Sequence, residues 1–356
     1  MRHCSLRTTA AVAAILTFVA VAVSLHAQAA PQRAQPIKAG EVPNRKQAAP
    51  LPPRGTFVPP RTPWGDPDIA GDYNNSDESG IPFERPDEFA GRRMEDVSPA
   101  ELAKLVQQRQ EQTIERTPGL SEFPGATSPM HWFENYYAAN SRPWLVVEPA
   151  DGKVPPQTAE AQQRARARQQ ARAGRGPADS WEDRSLYDRC ITRGIPGSMM
   201  PAIYGNSYHI QQGPGFVTIT YEMVHDTRVI PLDGRNHIAG SVRQYLGDAR
   251  GRWEGNTLVI ETTNFTDKTP YRGSSDQLKM IERFTPLGPE TVEWAVTFDD
   301  PRTWARPWTF AMNLTRDAGQ PPFEYACHEG NYGLRNILEA ARAEERAATA
   351  AGTAGR

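Results

Sequence analysis

Within the run from Phe216 to Val224, apolar and polar side chains alternate without a slip from Val217 to Met223. Val217, Ile219, Tyr221 and Met223 fall on one face, with His225 extending it, and Thr218, Thr220 and Glu222 fall on the other. A period of two is the mark of a half-buried strand. Comparable short runs occupy 207–212, 228–232, 242–246, 258–263, 278–285, 291–299, 308–315 and 323–327, separated by turn chemistry such as Asp233-Gly234, Gly255-Asn256 and Leu287-Gly288-Pro289. The segment before 258, Arg252 to Thr257, reads as a hairpin turn feeding that run. Nine runs with no helix between them predict a mainly β domain over 201–329, an antiparallel meander that closes into a barrel or, alternatively, stacks as a β-sandwich.

Upstream, over 63–200, the pattern is mixed. The residues from Trp64 to Gly71 read as a tight turn leading to a short strand. Ser98-Pro99-Ala100-Glu101 has the form of a helix start, with Ser as N-cap, Pro at the first position and Glu at the third. Leu102, Leu105, Val106 and Ile114 then mark one helix face, which Pro118-Gly119 ends. Trp144 to Val147 reads as a short buried strand. A second helix is expected from Thr158 to about Ala173, but it has no apolar face. Arg164, Arg168 and Arg172 share one side of it, and Arg166 and Arg175 add charge. Such a face could meet a polyanion or a membrane surface. The absence of an apolar stripe favours a solvated, poorly ordered surface helix instead. Residues 330–356 predict a terminal helix with a frayed end.

The N-terminal pattern is different again. Arg2 and Arg7 precede an apolar run from Ala10 to Leu25, which ends in the small-x-small triplet Ala27-Gln28-Ala29. This order of charge, apolar core and small residues predicts a cleavable signal peptide over 1–29 and a periplasmic or secreted protein. Residues 30–62 are Pro-rich, aperiodic and poor in apolar side chains, which suits a disordered linker. No later run is apolar enough for a membrane span. Losing Arg2 and Arg7 leaves 38 basic residues against 42 acidic, and nothing in that balance argues for a nucleic-acid partner. Of three cysteines, Cys190 and Cys327 remain after cleavage. In an oxidising compartment two cysteines suggest one disulfide.

Several segments resemble a large, functionally uncharacterised family of secreted bacterial proteins of the acidobacterial and proteobacterial type. They include Pro67-Asp68-Ile69-Ala70-Gly71, Ile81-Pro82-Phe83-Glu84-Arg85-Pro86, Asp188-Arg189-Cys190 through Pro196-Gly197, Gly247-Asp248-Ala249-Arg250-Gly251-Arg252-Trp253-Glu254-Gly255, Thr262-Thr263-Asn264-Phe265, Asp299-Asp300-Pro301 and Tyr325-Ala326-Cys327-His328-Glu329-Gly330-Asn331-Tyr332. The resemblance implies export and a shared fold and brings no catalytic residues. The strand series also resembles lipocalin-like barrels in pattern.

Candidate chemistry is thin. The chain has no Gly-rich nucleotide loop between a strand and a helix, no HExxH, no CxxC and no GxSxG. No cofactor is therefore expected. Of the histidines His131, His209, His225, His237 and His328, the spacing of His209, His225 and His237 matches no metal signature. His225, with Asp226 and Arg228, would stand at a barrel mouth, where a histidine near neutrality suits proton transfer and an arginine suits an anionic group. The competing reading is a turn histidine bonded to Asp226. His328 and Glu329 would sit at the end of the last run, as a site or as a cap for the terminal helix. Trp294, Phe298, Trp304, Trp308 and Phe310 suit a stacking platform or a core. The leading expectation is an exported, cofactor-free acid–base enzyme (isomerase, lyase or hydrolase) acting on a small polar or carbohydrate-derived substrate through His225, Asp226, Arg228, His328 and Glu329. The alternatives are a lipocalin-like small-ligand-binding protein and an envelope-associated structural protein. The oligomeric state is open.

Overall fold

The computed structural model describes residues 55–116, 141–202, 205–317, 319 and 321–354. The expected signal peptide, most of the Pro-rich segment and His131 lie outside the described residues. Ten strands form one sheet: β1 (Gly71–Asn74), β2 (Val146–Glu148), β3 (Ser207–Gly213), β4 (Phe216–Tyr221), β5 (Thr227–Pro231), β6 (Asp248–Glu254), β7 (Thr257–Thr263), β8 (Lys279–Gly288), β9 (Thr291–Asp299) and β10 (Trp308–Arg316). Three α-helices accompany them: α1 (Pro99–Arg116), α2 (Ala159–Ala171) and α3 (Gly333–Ala354). The fold is the expected one, a mainly β antiparallel sheet nearly closed into a barrel, with a C-terminal helix.

Sheet order is β5-β4-β3-β1-β10-β9-β8-β7-β6, with β2 pairing β10 off this path. Every neighbouring pair on the path is antiparallel. Because the path holds nine strands, its two ends, β5 and β6, run in the same direction. Parallel neighbours cannot be joined by a tight hairpin, and residues 232–247 form the long connection that returns the chain to the starting rim. No ladder joins β5 to β6 among the described residues. Side chains close this seam instead. Ile230 and Leu232 press over Gly251, where a Cβ would stand 2.8 Å from Ile230 Cγ2 and 2.5 Å from Leu232 Cδ2.

The inner face follows the pleat. Val217, Ile219 and Tyr221 of β4, Leu258 and Ile260 of β7, Phe284 of β8, and Trp294, Val296 and Phe298 of β9 are all fully buried. Phe298 stacks on Trp308 with ring centroids 4.4 Å apart, and Trp294 meets Phe310 edge-on at 5.4 Å. The aromatic series from Trp294 to Phe310, Trp304 included, is core and offers no exposed stacking surface. Strand β10 is buried on both faces, and β2 pairs with its first residues on the edge that β1 takes further along. There Arg142 bonds Glu293 at 3.0 Å and Asn313 at 3.1 Å, and the Ser141 hydroxyl donates to buried Glu78 at 2.7 Å.

Four sequence expectations are corrected. The alternation from Val217 outlasts its strand: β4 ends at Tyr221, and Met223–His225 form a 3-10 turn in which Val224 adopts φ 63°. Met223 stays buried, at the turn and not on the strand. Residues 242–246 are no strand, contributing a single bridge from Gln244 to Phe265. Nor are 323–327 a strand: Phe323 is 75% exposed, so this run has no face to bury. In compensation, residues 248–254, part of which reads as turn, form β6. Its inner positions are the small Ala249 and Gly251 and, at its far end, Trp253, and its outer ones are charged, so its apolar signature is weak. Strand β1, from outside the expected 201–329 meander, is wedged between β3 and β10.

Helix α2 is docked where a poorly ordered helix was expected. Thr158 caps it by accepting from the Ala161 amide at 3.1 Å and donates its hydroxyl to the Arg302 carbonyl at 2.7 Å. Arg164 donates to the Thr303 hydroxyl at 2.7 Å. Cys190 and Cys327 form the expected disulfide. No helix among the described residues is long and apolar enough to cross a membrane.

Candidate functional site

The rim that carries the starts of β5, β6 and β8 holds a cleft of about 1310 Å³. Its position follows from the topology. In mid-barrel, Ile230 and Gly251 hold β5 and β6 together; toward this rim the strands have no ladder to keep them joined. Arg228 of β5 and Ala249 of β6 line the bottom of the opening, 4% and 8% exposed. The crossover residues Arg243 to Gly247 form one wall and Phe265 to Lys268, after β7, another. Arg164 and Arg168 of α2 and Arg302 of the β9–β10 turn overhang it. Asn264, in the left-handed region at φ 59°, pins the crossover by donating to the carbonyls of Ile238 and Ala239 at 3.1 and 3.2 Å.

Below the cleft the barrel interior is polar at one level. Arg228 points inward and reaches Glu282 of β8, with Nη2 to Oε2 at 2.7 Å. The other Glu282 oxygen accepts from the Trp294 indole at 3.1 Å. The small inner side chains of β6 leave room for the guanidinium to pass. Burial opposes the charge on Arg228, but the Glu282 carboxylate and the Tyr221 hydroxyl beside it raise its pKa, so Arg228 keeps its charge. Burial holds the Tyr221 phenol far above its ordinary value, so it keeps its proton. Tyr221 and Arg228 lie close enough to interact with one another. Arg228 Nε and Nη1, Tyr221 Oη and Thr262 Oγ1 are buried with no hydrogen-bond partner among the described residues. Buried polar atoms without partners are uncommon.

The cleft's charges fall into two groups. Arg243 and Arg302 both face Asp276, at 3.6 and 3.5 Å, and Arg164 and Arg302 both pair Glu160. Arg168 and Lys268 are exposed and make no ion pair among the described residues. Asp248, at the cleft wall, is committed twice: its Oδ2 contacts His237 Nδ1 at 2.8 Å and its Oδ1 accepts from Arg250 at 2.8 Å. The other His237 nitrogen lies 3.5 Å from Glu261.

Of the residues singled out in the sequence, Asp226 and Arg228 both line this cleft. Asp226 accepts from the Thr192 hydroxyl at 2.6 Å. His225 ends the 3-10 turn, and its side chain lies outside the described residues. His328 and Glu329 are exposed and are not among the residues lining the cleft. They follow Cys327, whose bridge to Cys190 ties them to the segment that supplies Ile191 and Thr192 to the cleft wall. His209 sits apart, 2.5 Å from Asp72. No group of three or more possible metal ligands occurs among the described residues. Sequence reasoning missed Glu282, Tyr221 and Thr262 as polar partners. The apolar alternation of their strands gave no signal that an ion pair crosses the interior.

No protein-family model matches the chain, and no curated protein matches it. Among solved structures, the chain is similar to a point mutant of the fluorescent protein UnaG. The match has 12% sequence identity and a TM-score of 0.20, and it covers 39% of this chain and 88% of that one.

Proposed function

We propose that this is an exported, lipocalin-like small-ligand-binding protein that takes a small anion into the cleft at the β5–β6 seam. One observation carries the reading: a 1310 Å³ opening, roofed by Arg164, Arg168, Arg302 and Lys268, stands over an incompletely hydrogen-bonded arginine. The lining carries six basic side chains against four aspartates, and an excess of one sign in a concave site concentrates oppositely charged solutes. Unlike Arg243 and Arg302, Arg168 and Lys268 need surrender no ion pair to receive a ligand. The signal-peptide pattern supports export. The test is calorimetric titration of the mature protein with small carboxylates at two ionic strengths. Binding should weaken with salt, and the double variant Arg168→Ala/Lys268→Ala should lower affinity by about tenfold. Affinity indifferent to salt and to both substitutions would exclude the rim as the anion site.

A second reading, an acid–base enzyme, rests on His237, held between Asp248 and Glu261 beside the cleft. A histidine oriented by a carboxylate is a serviceable general base. His237 is not among the cleft-lining residues, however, and ligand binding therefore ranks first. Turnover of any bound compound that is abolished in His237→Ala would reverse that order.

A further inference from the structure

The cleft's floor carries information about the other end of the ligand. Arg228, Tyr221 and Thr262 are at most 4% exposed, yet four of their polar atoms have no hydrogen-bond partner among the described residues. A buried donor left without a partner is costly, so four such atoms at one level of a barrel call for a partner. The strand registers bring them together. Arg228 pairs with Ile219 two residues along β4 from Tyr221, and Thr262 pairs with Ala249, the β6 residue that shares the cleft floor with Arg228. The way in is the seam itself, where no backbone ladder bars the route from the rim.

The chemistry offered there is nearly all donor: the three N–H groups on Nε and Nη1 of Arg228, the Tyr221 hydroxyl and the Thr262 hydroxyl. A second carboxylate would be unwelcome, because Glu282 already neutralises Arg228 and would repel it. Resting on the anionic-ligand reading above, we infer that the ligand bears, at the end remote from its charge, an uncharged oxygen acceptor. That acceptor, a carbonyl or hydroxyl group, is read by Arg228, Tyr221 and Thr262 inside the barrel. The charge stays at the rim with Arg168 and Lys268. The ligand class is thus a short hydroxy or oxo acid with its two functions at opposite ends.

The experiment uses the full mature protein with its disulfide intact and matched probes: C6 and C8 carboxylic acids, their ω-hydroxy derivatives and their (ω−1)-oxo derivatives. Wild type should bind at least one acceptor-bearing probe about tenfold more tightly than its parent acid, since a site built to hydrogen-bond discriminates against a ligand lacking the group. In Tyr221→Phe and Thr262→Val that ratio should fall toward one. Their melting temperatures should hold or rise, because each removes an unpaired buried hydroxyl and shows that the loss is not unfolding. Equal affinity of parent and derivative acids in wild type would overturn the inference while leaving the rim anion site standing. Undiminished preference in both variants would overturn it as well. If none of the probes binds, the anionic-ligand reading fails and this inference falls with it.

Discussion

From β8 to β10 the barrel wall is continuous and backed: stacked aromatics fill its inner face, β2 pairs with β10, and a network joins Glu78, Ser141, Arg142, Glu293 and Asn313. Between β5 and β6 the wall is a single seam without backbone pairing, held by Ile230 and Leu232 over Gly251 and by the Arg228–Glu282 pair. The first region gains order from volume, since large rings fill the interior. The second relies on small side chains and one charge pair spanning three strands' width. In the second, a cleft and a cluster of unpaired donors lie together. The odd strand number explains the division: a nine-stranded antiparallel path must meet itself in parallel somewhere.

The sharpest way to break this comparison is to truncate one side chain from each region. Phe298→Ala, in the packed wall, should cost about 3–5 kcal/mol through lost burial and a residual cavity. Arg228→Ala should cost a similar amount, about 3–5 kcal/mol, for a different reason, because it strands the Glu282 charge in the interior. Urea unfolding with a second substitution separates the two. Arg228→Met/Glu282→Met should regain most of the loss, as apolar replacements of a buried pair often do. No substitution at Glu282 should rescue Phe298→Ala. If the Met/Met variant is as unstable as Arg228→Ala, the pair is not the seam's brace.

A smaller effect, roughly 3 kcal/mol, is expected from pH, and it belongs to the packed side. Burial pushes the Glu78 carboxyl up from 4.5 to about 7, outweighing the help its charged form gets from Arg142 and Ser141. An acid whose folded pKa exceeds its unfolded value binds its proton more tightly when folded. Its contribution is therefore full below about 4.5 and is lost as pH rises through about 7. Each pH unit between those two values is worth about 1.4 kcal/mol. Thermal unfolding should show the protein less stable at pH 8 than at pH 5, and Glu78→Gln should flatten that dependence. An unchanged slope in the variant would remove Glu78 as its source.

The same two regions differ in how legible they were. Strands whose inner face is large and apolar announced themselves, as in Val217-Ile219-Tyr221 and Trp294-Val296-Phe298. Strand β6 did not, because the seam demands Ala249 and Gly251 on its inner face and leaves Trp253 alone among the charged Arg250, Arg252 and Glu254. The turn at Met223–His225 continued the period of two by coincidence, which placed His225 on a strand that had already ended. Asp226 and Arg228 were picked out as site candidates and do line the cleft. What Arg228 contacts could not be read locally, since Glu282 is 54 residues away and reaches it only through the closure of the barrel.

Gly251 offers the finest test of the seam. Its φ is not in the left-handed region, so its role is spatial and not conformational. A Cβ would meet Ile230 Cγ2 at 2.8 Å and Leu232 Cδ2 at 2.5 Å, both closer than van der Waals contact. Leu232 is a flexible, partly buried side chain at the end of β5 and can swing aside; Ile230 is β-branched, fully buried and cannot. Gly251→Ala should therefore cost about 1–2 kcal/mol, offset in part by the gain of alanine over glycine in strand entropy. Ile230→Val shortens a neighbouring chain but keeps the offending Cγ2, so it should not relieve the clash. Ile230→Ala removes that methyl and should make the two substitutions less than additive, as expected for groups in contact. Strict additivity of Gly251→Ala with Ile230→Ala would mean that β5 and β6 do not meet there, and that the seam is closed by the Arg228–Glu282 pair alone.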